Sequence, residues 1–128
     1  MSSPVASWHH IVKTRNAGAL DALLAENAVF HSPVVYNPQV GKALTHHYLM
    51  AAFAVLSNDS FRYVREVVSE RDAVLEFVVE VDGILINGVD MFTWDAAGKI
   101  VDFKVMIRPL KAINLLHQKM AAMLQALK

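Results

Sequence analysis

Two neighbouring stretches of this 128-residue chain alternate in step, and together they commit it to a sheet with one buried face. Within GVDMFTWDAAGKIVDFKVMIRPL and the residues just before it, Ile84, Ile86, Gly88, Asp90, Phe92 and Trp94 fall on one side of an extended chain. After the turn Ala96-Ala97-Gly98, Val101, Phe103, Val105 and Ile107 do the same. Every member of both rows is apolar or glycine except Asp90. A lone carboxyl in a core-facing row is either a buried acceptor, satisfied by an indole or a backbone N–H, or the polar centre of a pocket. The sequence leaves both readings open.

Further upstream the alternation repeats. Leu75, Phe77, Val79 and Val81 face one way, with Glu76, Glu80 and Asp82 opposite. Strands are expected over about 61–69, 73–82, 84–95 and 99–108, joined by the short turns Glu70-Arg71-Asp72, Asp82-Gly83 and 96–98. Links this short favour antiparallel neighbours. Ser3-Pro4 starts a first helix, with a capping hydroxyl and a proline where its missing N–H costs nothing. That helix should reach about Arg15 on a stripe of Val5, Trp8, Ile11 and Val12, and Asn16-Ala17-Gly18 should break it. A short helix with Leu20, Leu23 and Leu24 follows, then a turn at Glu26-Asn27 and a strand over 28–31 that Ser32-Pro33 ends. Residues 33–40 read as a loop. Gly41 precedes a third helix carrying Leu44, Tyr48, Leu49, Ala52, Phe53 and Leu56, and 57–60 is a turn. Pro109 opens a last helix with Leu110, Ile113, Leu116, Met120, Met123, Leu124 and Leu127 on one stripe. Helices, a short strand, a helix, four strands and a helix describe an α+β chain, organised as one domain over 1–128, with helices on one face of the sheet.

Composition narrows the function. Hydrophobic residues make up 55% of the chain, enough for a real core, and the formal net charge is zero. The basic footprint of a nucleic-acid binder is missing. The absence of cysteine removes disulfides, thiolate chemistry and Cys-ligated zinc, and is compatible with the cytoplasm. The longest wholly apolar run, 49–56, is too short to span a bilayer, and no secretory signal is expected.

The element order, together with GALDALLAENAVFHSP (18–33), the Gly41-Lys42 helix start and GVDMFTWDAAGKI (88–100), resembles the SnoaL-like branch of the NTF2-like superfamily. The resemblance implies a cystatin-like, NTF2-like cone: a curved antiparallel sheet wrapped on N-terminal helices, with an extra C-terminal helix. It also implies a deep internal pocket and a homodimer formed through the outer sheet face. Members include isomerases, cyclases, dehydratases, hydrolases and plain ligand binders, so the fold alone does not choose a reaction.

In that comparison Asp90 matches the carboxyl that, in ketosteroid-isomerase-like members, hydrogen-bonds a developing oxyanion. Ser32 falls where those members carry an Asp base, and Ile11 falls near their helix-1 Tyr. Limonene-epoxide-hydrolase-like members use an Arg where Gly88 stands and an Asp near Val105. A carboxyl among Ile86, Phe92 and Trp94 should be poorly hydrated, which raises its pKa and suits it to proton transfer or ligand anchoring near neutrality. His10, Ser32 and Tyr63 are weaker candidates to assist it. His31 is expected to face outward. Trp8, Ile11, Phe30, Tyr36, Tyr48, Phe53, Phe77, Phe92, Trp94, Phe103 and Ile107 are candidate ligand contacts, Tyr36 as a lid over the mouth. No pair of histidines has the spacing that shares a metal, and no metal or other cofactor is expected. Glu66, Glu76, Glu80, Asp102 and Lys104, with Val64, Val74, Val78 and Met106, are assigned to an outer face that joins two subunits. Arg108 is expected to pair with Glu80 or Asp102, or to touch the partner. The reading is a small cytoplasmic homodimer that binds a small hydrophobic molecule, without nucleic acid or membrane. Its alternative is a cofactor-independent enzyme with Asp90 as general acid or base.

Overall fold

The structure, a computed structural model, describes residues 3–126. Ser3 caps α1 (Pro4–Thr14), its Oγ accepting from the Ala6 N–H at 3.2 Å. The first helix breaks as expected, at Arg15 and Asn16, but the second helix begins earlier than Leu20. Asn16 Oδ1 accepts from the Ala19 N–H at 3.0 Å and caps α2 (Ala17–Leu23), so Ala17 and Gly18 lie inside a helix. β1 (Leu24–His31) follows directly. The turn expected at Glu26-Asn27 is a bulge within it: β1 advances from Leu24 to Val29 while its neighbour advances only from Ile100 to Asp102. The loop at 33–40 closes in a two-residue strand, β2 (Gln39–Val40), too short to announce itself after Pro38.

After α3 (Lys42–Leu56) come β3 (Arg62–Val68), β4 (Asp72–Val81), β5 (Ile84–Trp94) and β6 (Ile100–Arg108), then α4 (Leu110–Ala126). Leu127, expected on the stripe of α4, lies outside the described residues. Asp82 and Gly83 turn β4 into β5 with φ of 51° and 78°, a two-residue hairpin whose second position suits glycine. The sheet order is β2-β1-β6-β5-β4-β3. It is mixed rather than wholly antiparallel, because β1 runs parallel to β6, a pairing that the long crossover through α3 permits. Bulges at Val64 and between Thr93 and Trp94 add to the one in β1 and curve the sheet about the helices.

The inner face carries the core. The even positions of β5 from Ile86 to Trp94 and β4's row from Leu75 to Val81 are buried as expected, Ile84 is partly buried, and Phe103 and Val105 continue the row on β6. The bulge before Trp94 sends Ile100 inward in place of Val101. Trp8, Phe92 and Phe103 pack ring against ring in the core. Phe92 and Phe103 stack 5.3 Å apart within 6° of parallel, and Trp8 lies 4.7 Å from Phe103. On α4 only Ala112 and Leu116 are fully buried, and Leu110, expected on its inner stripe, is exposed.

Candidate functional site

A hollow of about 190 Å³ remains between the sheet and α4. α1 contributes Trp8 and Val12 to its wall, α3 contributes Tyr48, Leu49, Ala52, Phe53 and Leu56, and the sheet contributes Phe30, Tyr63, Phe77, Asp90, Phe103 and Val105. Leu116, Met120 and Leu124 of α4 form the roof, while Ser32 to Val35 and His117 stand at the rim. Among the described lining residues Asp90 is the one carboxylate.

Asp90 is 7% exposed and belongs to a chain of three side chains. The Tyr63 hydroxyl donates to Asp90 Oδ2 at 2.6 Å, and Trp8 Nε1–H donates to the Tyr63 oxygen at 2.9 Å. The indole thus fixes the phenol, and the phenol fixes the carboxyl. Asp90 Oδ1 has no protein partner among the described residues, yet no enclosed polar atom is left orphaned there, so Oδ1 keeps accessible surface on a residue that lines the hollow. Burial raises the Asp90 pKa from 3.8 to about 7, against the lowering effect of the Tyr63 hydrogen bond. Burial, and then the neighbouring Asp90 charge, hold the Tyr63 phenol well above its ordinary value, so it acts as a neutral donor.

Of the expected ligand contacts, Trp8, Phe30, Tyr48, Phe53, Phe77 and Phe103 line the hollow. Five others do not. Ile11 and Phe92 are consumed in the packed core, Trp94 sits at the far end of β5, and Ile107 leans on Gly88 instead. Tyr36 is 96% exposed and covers nothing. His10 points to solvent; its neighbour His9 reaches inward, with its ring 5.2 Å from Tyr63 and Nε2 bonded to Glu66. Glu66 is therefore not on the outer face. The extra residue Val64 shifts β3 by one position and puts Glu66 opposite Leu75. Ser32 lines the hollow, but its Oγ accepts from the Val34 and Val35 N–H groups at 3.0 and 3.3 Å and holds the rim loop. His31 faces outward, with Nε2 2.8 Å from Asp102 Oδ1. Arg108 reaches Asn87 at 3.4 Å rather than Glu80 or Asp102. Among the described residues no three His, Asp or Glu side chains converge to hold a metal ion, and no helix is long and apolar enough to cross a membrane.

Residues 5–103 match the family model of the SnoaL-like domain. The chain belongs to the SnoaL-like family. It is similar to a crystal structure of a steroid delta-isomerase from Pseudomonas aeruginosa, with 34% identity and a TM-score of 0.90, over 96% of this chain and 90% of that one. An uncharacterised bacterial protein with a cystatin-like fold from Silicibacter pomeroyi is 31% identical at a TM-score of 0.87, over 95% and 85% of the two chains. An epoxide hydrolase/cyclase-like enzyme of pyran ring formation in the polyether salinomycin shares the fold at a TM-score of 0.66 and 19% identity, over 82% and 88%. No curated protein matches the chain. The architecture of this SnoaL-like chain is thus the NTF2-like cone.

The roof residues Leu116, Met120 and Leu124 are legible as the apolar stripe of the last helix but not as ligand contacts, because a helical stripe does not reveal whether it meets atoms or a hollow. Phe61 escaped sequence reasoning, lying in the turn region before β3, although it stacks on Phe77 with centroids 5.1 Å apart. The link between Trp8 and Tyr63 spans 55 residues and carries no local signal.

Proposed function

We propose that this protein binds a compact, mostly apolar molecule in the hollow under α4 and orients it through one polar group set against Asp90 Oδ1. One observation carries the reading: an almost wholly buried carboxyl lines an apolar cavity, with one oxygen committed to Tyr63 and the other accessible and without a protein partner among the described residues. The hollow is about 190 Å³. An apolar cavity of about 150 Å³ takes up benzene, whereas drug-sized ligands occupy roughly 300–1,000 Å³. A molecule of one or two small rings suits this volume; a four-ring steroid does not. With a pKa of about 7, Asp90 presents Oδ1 as a donor in mildly acidic solution and as an acceptor above neutrality. Cyclohexanone should therefore bind better below pH 7 and cyclohexanol better above it, and Asp90→Asn should abolish the crossing. Titration calorimetry across pH decides it, and equal affinities in the Asn variant remove Asp90 from the site.

A second reading has Asp90 as a general acid or base in a cofactor-independent reaction. The same pKa favours it, since a group near neutrality both takes and returns a proton efficiently. A steroid-type isomerisation is poorly supported, because Ser32 stands where the base would be and Ile11 offers no hydroxyl. Deuterium uptake next to the carbonyl of cyclohexanone in D₂O, lost in Asp90→Asn, would establish the catalytic reading; no uptake leaves binding alone.

The homodimer belongs to the same proposal. Arg65, Glu76, Val89 and Met106 lie in register across the outer face, beside a second row of Val67, Val74, Met91 and Lys104. Val67, Val74 and Met106 are exposed there. A face mixing apolar area with both signs of charge suits a two-fold contact. Sedimentation of the Val74→Glu variant as a monomer beside a dimeric parent would support the contact, and a monomeric parent would end it. A cytoplasmic location accompanies this reading, with which a cysteine-free chain is compatible.

A further inference from the structure

Gly88 sits two positions before Asp90 on the same buried row of β5. Its direct neighbours are Phe77 on β4 and Ile107 on β6, and both lean over its bare Cα. A Cβ placed there would lie 2.3 and 2.6 Å from Cζ and Cε2 of Phe77 and 2.7 Å from Cδ1 of Ile107. Those separations are far inside contact distance, so the ring must leave if position 88 gains any side chain. Phe77 has little choice of direction. Phe61 is stacked against it at 5.1 Å, and Tyr63 meets it edge-on at 6.3 Å. Displacement therefore either moves the ring into the hollow that it already lines or presses on the phenol that holds Asp90.

We infer that Gly88 is the size-determining position of the ligand cavity, acting through Phe77, whose ring it lets lie flat on β5 and out of the space beside Asp90. The inference rests on the cavity reading above and adds to it a reason for the cavity's volume: the absence of one Cβ on β5. Gly88 is a positioning residue; it reaches the ligand only through the ring. The class of ligand follows. Molecules of one or two fused rings with a single hydroxyl or carbonyl fit beside Asp90, and any residue larger than glycine at 88 narrows the choice to one ring.

The test uses phenol, naphthol and phenylphenol, which share a hydroxyl and grow by rings, with dissociation constants from titration calorimetry. The parent should prefer naphthol to phenol, and Gly88→Ala should cut that preference about tenfold or more, the scale at which a filled pocket rejects extra carbon. Adding Phe77→Leu to Gly88→Ala removes the colliding ring and should restore the parental order, which general destabilisation would not. Should Gly88→Ala fail to fold, Phe77→Leu alone carries the test: by emptying the space over Gly88 it should admit phenylphenol, which the parent rejects. A parent that binds phenol and naphthol, with an unchanged ratio in Gly88→Ala or no added tolerance in Phe77→Leu, overturns the role of Gly88 and leaves the cavity reading standing. A parent that binds none of the three overturns both.

Discussion

Beneath the buried stripe of α1 the inner sheet face is packed, whereas beneath α4 the same face is hollow, and Trp8, Val12 and Phe103 border both regions. Phe92 and Phe103 stack within 6° of parallel under Trp8, and Val5 and Ile11 of α1 are buried beside them. A few residues away, Phe77 and Phe103 face open space across from Met120 and Leu124. The sheet supplies aromatic rings to both halves. What differs is the cover: α1 sinks three side chains into the sheet, while α4 fully buries only Ala112 and Leu116. A cavity arises here where an apolar helix is held off an apolar sheet, and the one carboxyl of the row lies at the boundary between the two halves.

The largest expected effect breaks the solid half. Phe92→Ala removes a ring enclosed by Trp8, Trp94 and Phe103 and should lower stability by about 3–5 kcal/mol, as other buried Phe truncations do. Denaturant unfolding measures it. A loss under about 1 kcal/mol would mean that the packed half tolerates voids as the other half does.

Asp90 probes the boundary. Its folded pKa of about 7 lies above its ordinary 3.8, so in that interval the native state holds a proton that the unfolded chain has released. The stabilisation is therefore complete below about pH 4 and declines by up to about 1.4 kcal/mol per pH unit as pH rises to 7. Asp90→Asn should flatten that slope and be more stable than its parent at pH 8, with the difference shrinking toward pH 5. Equal slopes in the two proteins would place the ionisation elsewhere.

Legibility in the sequence followed the same division. The rows of β4, β5 and β6 were readable because a period of two survives in long regular strands, and Asp90 stood out as the exception within one. The readings that failed sit at irregularities. One extra residue at Val64 turned Glu66 inward, and another bulge exchanged Val101 for Ile100. Three residues of slack in β1 (five positions against two) made Glu26-Asn27 look like a turn. Candidate contacts divided likewise. Phe92 and Phe77 are indistinguishable as letters on alternating strands, and only the helix above each decides which lines a cavity. Nothing near Tyr63 in sequence announces that its hydroxyl bridges Trp8 and Asp90.

That bridge yields the third prediction. Tyr63→Phe leaves the Trp8 indole N–H without its acceptor and should cost about 1–3 kcal/mol, the range for a buried donor left unsatisfied. It also removes the hydrogen bond that lowers the Asp90 pKa, so the pH at which stability levels off should move upward. Measuring the pH slope beside that of Asp90→Asn separates the two effects: the Phe variant keeps a slope and the Asn variant does not. An unmoved midpoint would mean that Tyr63 contributes packing alone.

The smallest effect belongs to the hollow half. Met120 lies half-buried in the roof, with one side already facing empty space. Met120→Ala thus strips few contacts and encloses little new void, because the void is there beforehand. Its expected cost is about 1 kcal/mol or less, below the roughly 2–5 kcal/mol of a packed Met-to-Ala change. Ligand binding should respond more than stability does, since the thioether is part of the surface a bound ring would touch. A phenol affinity that falls several-fold in a variant of nearly parental stability would sharpen the contrast between the halves. A destabilisation matching that of Phe92→Ala would erase it, for then α4 would be packed on the sheet as tightly as α1 and the hollow would have no independent existence.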